Sequence, residues 1–120
     1  MIWSRFNYVN KVLLYKHPVN MNKSMDGLAA VAYAEMQENP CSDTLFVFVN
    51  RSRDKIKMLL WETNGFWIFY KRLERERFHW PDWFDQPSLS LSLKQLNQLT
   101  LGFNLNGMRP HAKINLSFSL

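Results

Sequence analysis

Basic side chains fall in two short runs near the middle of this sequence. Arg51, Arg53, Lys55 and Lys57 occupy alternate positions, and Lys71, Arg72, Arg75 and Arg77 follow close behind one another. Cations at that density suit the neutralisation of a row of phosphates, with Trp67, Tyr70, Phe78 and Trp80 nearby as surfaces for base stacking. The competing reading is a solvated hairpin end whose charge Asp54, Glu74 and Glu76 partly cancel.

The acids suggest no comparable constellation. Phosphoryl transfer through paired metal ions needs converging carboxylates, and the acids to weigh are Asp26, Glu35, Asp43, Asp54, Glu62, Asp82 and Asp85. Asp26 and Asp54 read as helix-start and turn residues, and Glu62 flanks a hairpin. His17, His79 and His111 are scattered beside Pro or Trp, with no pair at helical spacing and no His-x-His. The single cysteine, Cys41, excludes an intramolecular disulfide and a cysteine-based zinc site. No glycine-rich phosphate loop is present. The expectation is therefore no catalytic residue, no metal and no cofactor. Trp80, Trp83 and Phe84 form a separate cluster in a Pro-containing segment. They either fold back over the core or dock a partner protein, and they are the candidate partner-binding residues.

A chain of 120 residues with 47% hydrophobic and 15% aromatic side chains fits one globular domain, 1–120, and excludes a disordered tail. The net charge of +5 and the pI near 9.6 favour polyanionic partners without saying anything about fold. Val12-Leu13-Leu14-Tyr15 is too short for a signal-peptide core, and no run reaches the ~20 apolar residues of a membrane span. The expected location is the cytoplasm, away from any membrane.

The elements that must position these residues are legible in outline. The run 12–15 reads as an opening strand ended by Pro18. Ser24 stands where a helix cap belongs and Asp26 in the first turn. Met25, Leu28, Ala29, Ala32 and Met36 recur at helical spacing, so a helix is predicted over 24–38, before Asn39-Pro40. The runs 45–49, 56–61 and 66–70 are rich in β-branched and aromatic residues. Turn formers at 50–54 and Asn64-Gly65 separate them, which predicts an antiparallel meander over 44–73 with both faces covered. Residues 74–91 look irregular. Ser92-Leu93-Lys94-Gln95 matches a capping box, and a second helix is predicted over 92–103, beside the first. The fold class is α+β: a small antiparallel sheet of three to four strands with two helices packed on it. In that meander, residues 53–57 begin the middle strand and 71–73 end the third, so the cations should share one edge of the sheet.

Several blocks carry a resemblance when taken in order. They are Met21-Asn22-Lys23-Ser24-Met25-Asp26-Gly27-Leu28-Ala29, Leu45-Phe46-Val47-Phe48 and Arg53-Asp54-Lys55-Ile56-Lys57. Gly65-Phe66-Trp67 and Tyr70-Lys71-Arg72-Leu73-Glu74 follow, then Arg77-Phe78-His79-Trp80-Pro81, Leu91 to Gly102, and Met108-Arg109-Pro110-His111. Over residues 20–111 the sequence resembles the small accessory protein of the insertion sequence 66 family of bacterial transposons. That resemblance implies a cytoplasmic protein encoded beside a larger transposase and needed for efficient transposition. The expected function is a non-catalytic accessory factor that binds the cognate transposase, element DNA, or both. The resemblance supplies no catalytic residues to carry over. The family usually has an Asp and an Arg where this chain has Asn20 and Asn22. The first ten residues and Ile114 to Leu120 do not look like the family, and residues 112–120 read as an irregular tail. The alternative is a protein-interaction module with no direct nucleic-acid binding, or a degenerate, inactive copy.

Overall fold

A computed structural model describes residues 9–105. The elements are β1 (Lys11–Tyr15), α1 (Met25–Ala34), β2 (Thr44–Val49), β3 (Lys55–Glu62), β4 (Gly65–Arg72), β5 (Ser88–Leu91) and α2 (Leu93–Thr100). They build a five-stranded sheet in the order β4-β3-β2-β1-β5. The meander β2-β3-β4 is antiparallel, as the turn residues predict.

The expectation of three to four antiparallel strands needs correction in two places. β1 runs parallel to β2, pairing Val12 with Leu45 and Leu14 with Val47. Parallel neighbours need a crossover connection, and α1 supplies it. The stretch expected to be irregular also contains a fifth strand: Ser88-Leu89-Ser90-Leu91 pairs antiparallel with β1. Its Ser-Leu alternation is the period-two signal of a strand with one buried face. Leu91 is buried and Leu89 packs against the same cluster.

Two apolar clusters lie on opposite faces of the sheet. On one face, Val12, Leu14, Leu45, Val47, Val49, Ile56, Met58 and Leu60 meet Leu96 and Leu99 of α2, together with Phe78 and Trp80. On the other, Leu13, Tyr15, Phe46, Phe48 and Leu59 meet Leu28 and Ala32 of α1 and Met36 beyond it. Every residue of β2 is buried, as expected of a central strand covered on both faces. The two helices therefore do not lie side by side as expected. The return of the chain through 73–91 carries α2 to the far face.

Local chemistry explains the helix ends. Ser92 Oγ accepts from Gln95 N and Gln95 Oε1 accepts from Ser92 N, both at 3.0 Å, so the capping box is formed. Ser24 holds the N-cap position of α1, but its hydroxyl makes no capping bond. Helix α1 stops at Ala34, short of the expected 38, because Gln37 turns to φ 56° and Glu38 N bonds back to Ala32 O at 3.0 Å. Met25 is 40% exposed and not part of the buried stripe.

The β3–β4 turn also differs from expectation. The closing pair is Glu62 with Gly65, so the loop residues are Thr63 and Asn64, one position earlier than Asn64-Gly65. The positive φ, 53°, falls on Thr63. Gly65 opens β4 instead.

Candidate nucleic-acid interface

The register of β3 on β4 sets the first part of the site. Lys55 pairs with Arg72, Ile56 with Lys71 and Lys57 with Tyr70. Alternation then places Lys55, Lys57, Tyr70 and Arg72 on the α1 face of the sheet and Lys71 on the α2 face.

The turn entering β3 is built around one side chain. Asn50 Oδ1 accepts from Asp54 N at 3.1 Å and from Lys55 N at 3.0 Å, while its Nδ2 donates to Asp54 Oδ1 at 2.6 Å. Arg53 adopts φ 60° within it. The chain leaving β4 then folds back onto this turn. Leu73 N donates to Asp54 O and Phe78 N to Arg53 O, each at 2.7 Å, and Arg77 Nε donates to Ser52 O at 2.9 Å. Residues 73–78 thus bring Arg75 and Arg77 beside Arg51 and Arg53. All eight cations singled out in the sequence lie at one end of the sheet, with four carboxylates, those of Asp54, Glu74, Glu76 and Asp82. Among these twelve side chains the excess is four positive charges.

The eight are not equivalent. Lys57 Nζ donates to the carbonyls of Met21 and Lys23, fastening the loop before α1 to the sheet. Lys71 Nζ donates to Thr100 O at 2.8 Å, at the C-terminal turn of α2, where unpaired carbonyls favour a cation. Desolvation of that ammonium holds its pKa below the ordinary lysine value. These two lysines join elements. Arg53 pairs with Asp82 at 2.9 Å, Arg72 with Glu74 at 3.0 Å and Lys55 with Asp54 at 3.4 Å, all solvent-accessible pairs that a polyanion could compete for. The Asp54 carboxyl is held below its usual range by the Asn50 hydrogen bond, assisted by Lys55, and Asp82 by its hydrogen bond to Arg53. Hydrogen bonding to Glu74 raises the Arg72 pKa. Among the described residues, Arg51 and Arg75 are exposed and carry no ion pair.

A groove of about 590 Å³ opens beside this rim, between the loop 18–22 and the turn 50–55. Asn20, Asn22, Asn50, Arg51, Lys55 and Tyr70 are among its lining residues. Val19 N donates to Val49 O at 2.8 Å, which docks the loop against the end of β2. Asn20 and Asn22 did not figure among the candidate site residues. The only sequence signal was that both depart from the family pattern, since their proximity to Arg51 depends on a parallel strand pairing far along the chain.

The aromatic segment divides. Trp80 is buried and its indole N–H donates to Tyr15 O at 3.0 Å, while Phe84 is buried with Lys16 Nζ 5.6 Å from its ring centroid. Trp83 is 65% exposed. Trp80 and Phe84 thus pin the segment to the core, and Trp83 alone of the three faces solvent.

The weighed acids and histidines do not gather into one cluster: Asp43 and Glu62 line one shallow pocket, and His79 and Asp82 line another. Asp26 stands in the first turn of α1, Glu35 is its C-cap, Asp43 accepts from the Asn10 side chain, and Glu62 accepts from Trp67 Nε1 at 2.9 Å. Asp85 is exposed, and His17 lies edge-on to Tyr15. Among the described residues, no three His, Cys, Asp or Glu side chains converge to hold a metal ion. His111 lies outside the described residues, as do the Met108–His111 block and the stretch 112–120. Among the described residues no helix is long and apolar enough to cross a membrane.

An α+β sheet with a basic end and a polar groove describes a class of small binding domain. Comparison with known proteins gives the family. The family model described as IS66 Orf2 like protein matches residues 10–110. The chain belongs to that family, the transposition-associated accessory proteins of this insertion-sequence class. It is 32% identical over 85 residues to the uncharacterized protein y4hO of Sinorhizobium fredii, covering 71% of this chain and 73% of the relative. It is 24% identical over 94 residues to the uncharacterized protein y4jC of the same organism, covering 78% and 80% respectively. No solved structure matches the chain.

Proposed function

We propose that this protein is a non-catalytic accessory factor for transposition of an insertion sequence 66-type element, acting in the cytoplasm beside the cognate transposase and holding DNA on its basic rim. The observation that carries the reading is the fold-back of residues 73–78 onto the β2–β3 turn. It gathers Arg51, Arg53, Lys55, Arg72, Arg75 and Arg77 at one end without committing them to the core. Lys57 and Lys71 support the rim instead of contacting phosphate.

Duplex binding across a salt series tests this. Four phosphate contacts give a slope of log affinity against log salt near −3.6. Arg51→Glu with Arg75→Glu should reduce the slope and the affinity together, whereas Lys71→Met should lower stability and leave the slope nearly unchanged. A wild-type slope near zero would overturn the DNA reading.

Transposase contact is the companion proposal, with Trp83 as the exposed anchor and Trp80 and Phe84 fixing its segment. Large aromatic side chains left in solvent are frequent interface anchors. Pull-down by the cognate transposase should weaken with Trp83→Ala. Retained capture would assign the partner surface elsewhere.

A further inference from the structure

We infer that the groove between the loop 18–22 and the turn 50–55 receives an unpaired nucleotide, with its base on Tyr70 and its phosphate on Arg51 and Lys55. The inference rests on the nucleic-acid reading above and adds the strand state of the DNA.

Three features lead to it. Tyr70 lines the groove from an edge strand and is 53% exposed, so its ring offers a stacking surface that the core has not taken. Lys57 Nζ lies 5.6 Å from the ring centroid, and the same ammonium holds the carbonyls of Met21 and Lys23. One lysine thus fixes the platform and the opposite wall together, so the gap between them is set before any ligand arrives. This reduces the ordering cost of binding.

The second feature is charge. Arg51 stands on the groove wall with no ion pair among the described residues, next to Lys55, whose partner Asp54 is also held by Asn50. A phosphate here meets a free guanidinium and a half-neutralised ammonium.

Thirdly, the remaining wall is amide-rich. Asn20 Oδ1 accepts from Asn22 N at 2.8 Å, and the Asn20 NH₂ group has no hydrogen bond among the described residues, leaving a donor for a base edge. The groove volume, about 590 Å³, lies within the range of about 300–1,000 Å³ typical of small-molecule clefts.

These features select against an intact duplex as the groove's occupant. A duplex presents its phosphates outward but keeps its base faces stacked inside. An aromatic ring can take a base face only where the strand is single or locally opened. The outer cations can hold duplex phosphates, and the groove adds a preference for melted DNA next to them.

The test is fluorescence anisotropy with labelled oligothymidylate and with a duplex of mixed sequence, using the full chain. Tyr70→Leu should weaken oligothymidylate binding about tenfold and leave duplex binding within error. Tyr70→Phe, which keeps the ring, should restore it. Circular dichroism of each variant confirms folding. If Tyr70→Leu leaves oligothymidylate binding intact, or weakens both DNAs equally, the groove does not take a base and the inference falls, while loss of duplex binding in the Arg51→Glu, Arg75→Glu variant still upholds the rim. If wild-type protein binds neither DNA, both readings fall.

Discussion

The two turns that flank β3 each contain a non-glycine residue at positive φ, Arg53 at 60° before the strand and Thr63 at 53° after it. They are otherwise unlike. Around Arg53, Asn50 makes three side-chain hydrogen bonds, and the chain at 73–78 adds two backbone bonds and the Arg77 contact. Around Thr63 the chain makes a two-residue reversal, with Asn64 N donating to Glu62 O and one side-chain bond across it, from Trp67 Nε1 to Glu62 Oε1. A left-handed backbone at a residue with a Cβ costs about 1–2 kcal/mol. Such strain persists where surrounding bonds over-determine it, and it often marks a working site. The dense turn is the one beside the groove and the rim. The sparse turn lies away from that groove, so its strain is open to relief.

The two turns differ most at Asn50. Asn50→Ala removes three bonds and should destabilise the protein by about 2 kcal/mol in urea unfolding. Asn64→Ala, in the sparse turn, should change stability by less than about 0.5 kcal/mol. Equal effects would mean that the two turns are not different in kind.

Thr63→Gly should stabilise by about 0.5–1 kcal/mol, because glycine reaches positive φ without a steric cost and here no side-chain bond is lost. Arg53→Gly relieves the same strain but forfeits the exposed ion pair to Asp82, so its net effect on stability should stay within about 0.5 kcal/mol. Its effect on DNA binding should be the larger one. A stabilisation equal to that of Thr63→Gly would show that the Asp82 pair contributes nothing.

A smaller effect concerns pH. The folded-state pKa of Asp54 is depressed, chiefly by the Asn50 bond. Its contribution to stability is therefore present above the unfolded value, about 3.9, and is lost as pH falls through the lower folded value. Asp54→Asn should flatten the acid limb of the stability profile in that window and leave the neutral region otherwise parallel to wild type. An unchanged acid limb would remove Asp54 from the account of the turn.

The meander and the shared end of the cations were legible because both are local. Hydrophobic runs at 45–49, 56–61 and 66–70 joined by short polar breaks can pair in few ways, and pairing them stacks Lys55 against Arg72. The capping box at Ser92 and Gln95 was equally local and was formed as read. The parallel seat of β1 on β2 was not legible, nor the pairing of β5 with β1, because each joins segments more than thirty residues apart through register and face. The second helix followed β5 to the opposite face for the same reason. The Ser-Leu alternation was visible, but nothing local says whether four such residues find a partner edge.

Sequence alone determined the composition of a basic end, the hairpins that assemble it, and, through its ordered blocks, membership of an insertion-sequence accessory family. Those are properties of residue type and short spacing. Only the tertiary structure decided which cations are available: Lys57 and Lys71 lie within the same runs as Arg51 and Arg75, yet their ammonium groups hold distant carbonyls at Met21, Lys23 and Thr100. The groove likewise exists only because a parallel strand brings Asn20 and Asn22 to the turn at Asn50. A charge's partners depend on distances of a few ångströms, and between segments remote in the chain the fold alone sets those distances.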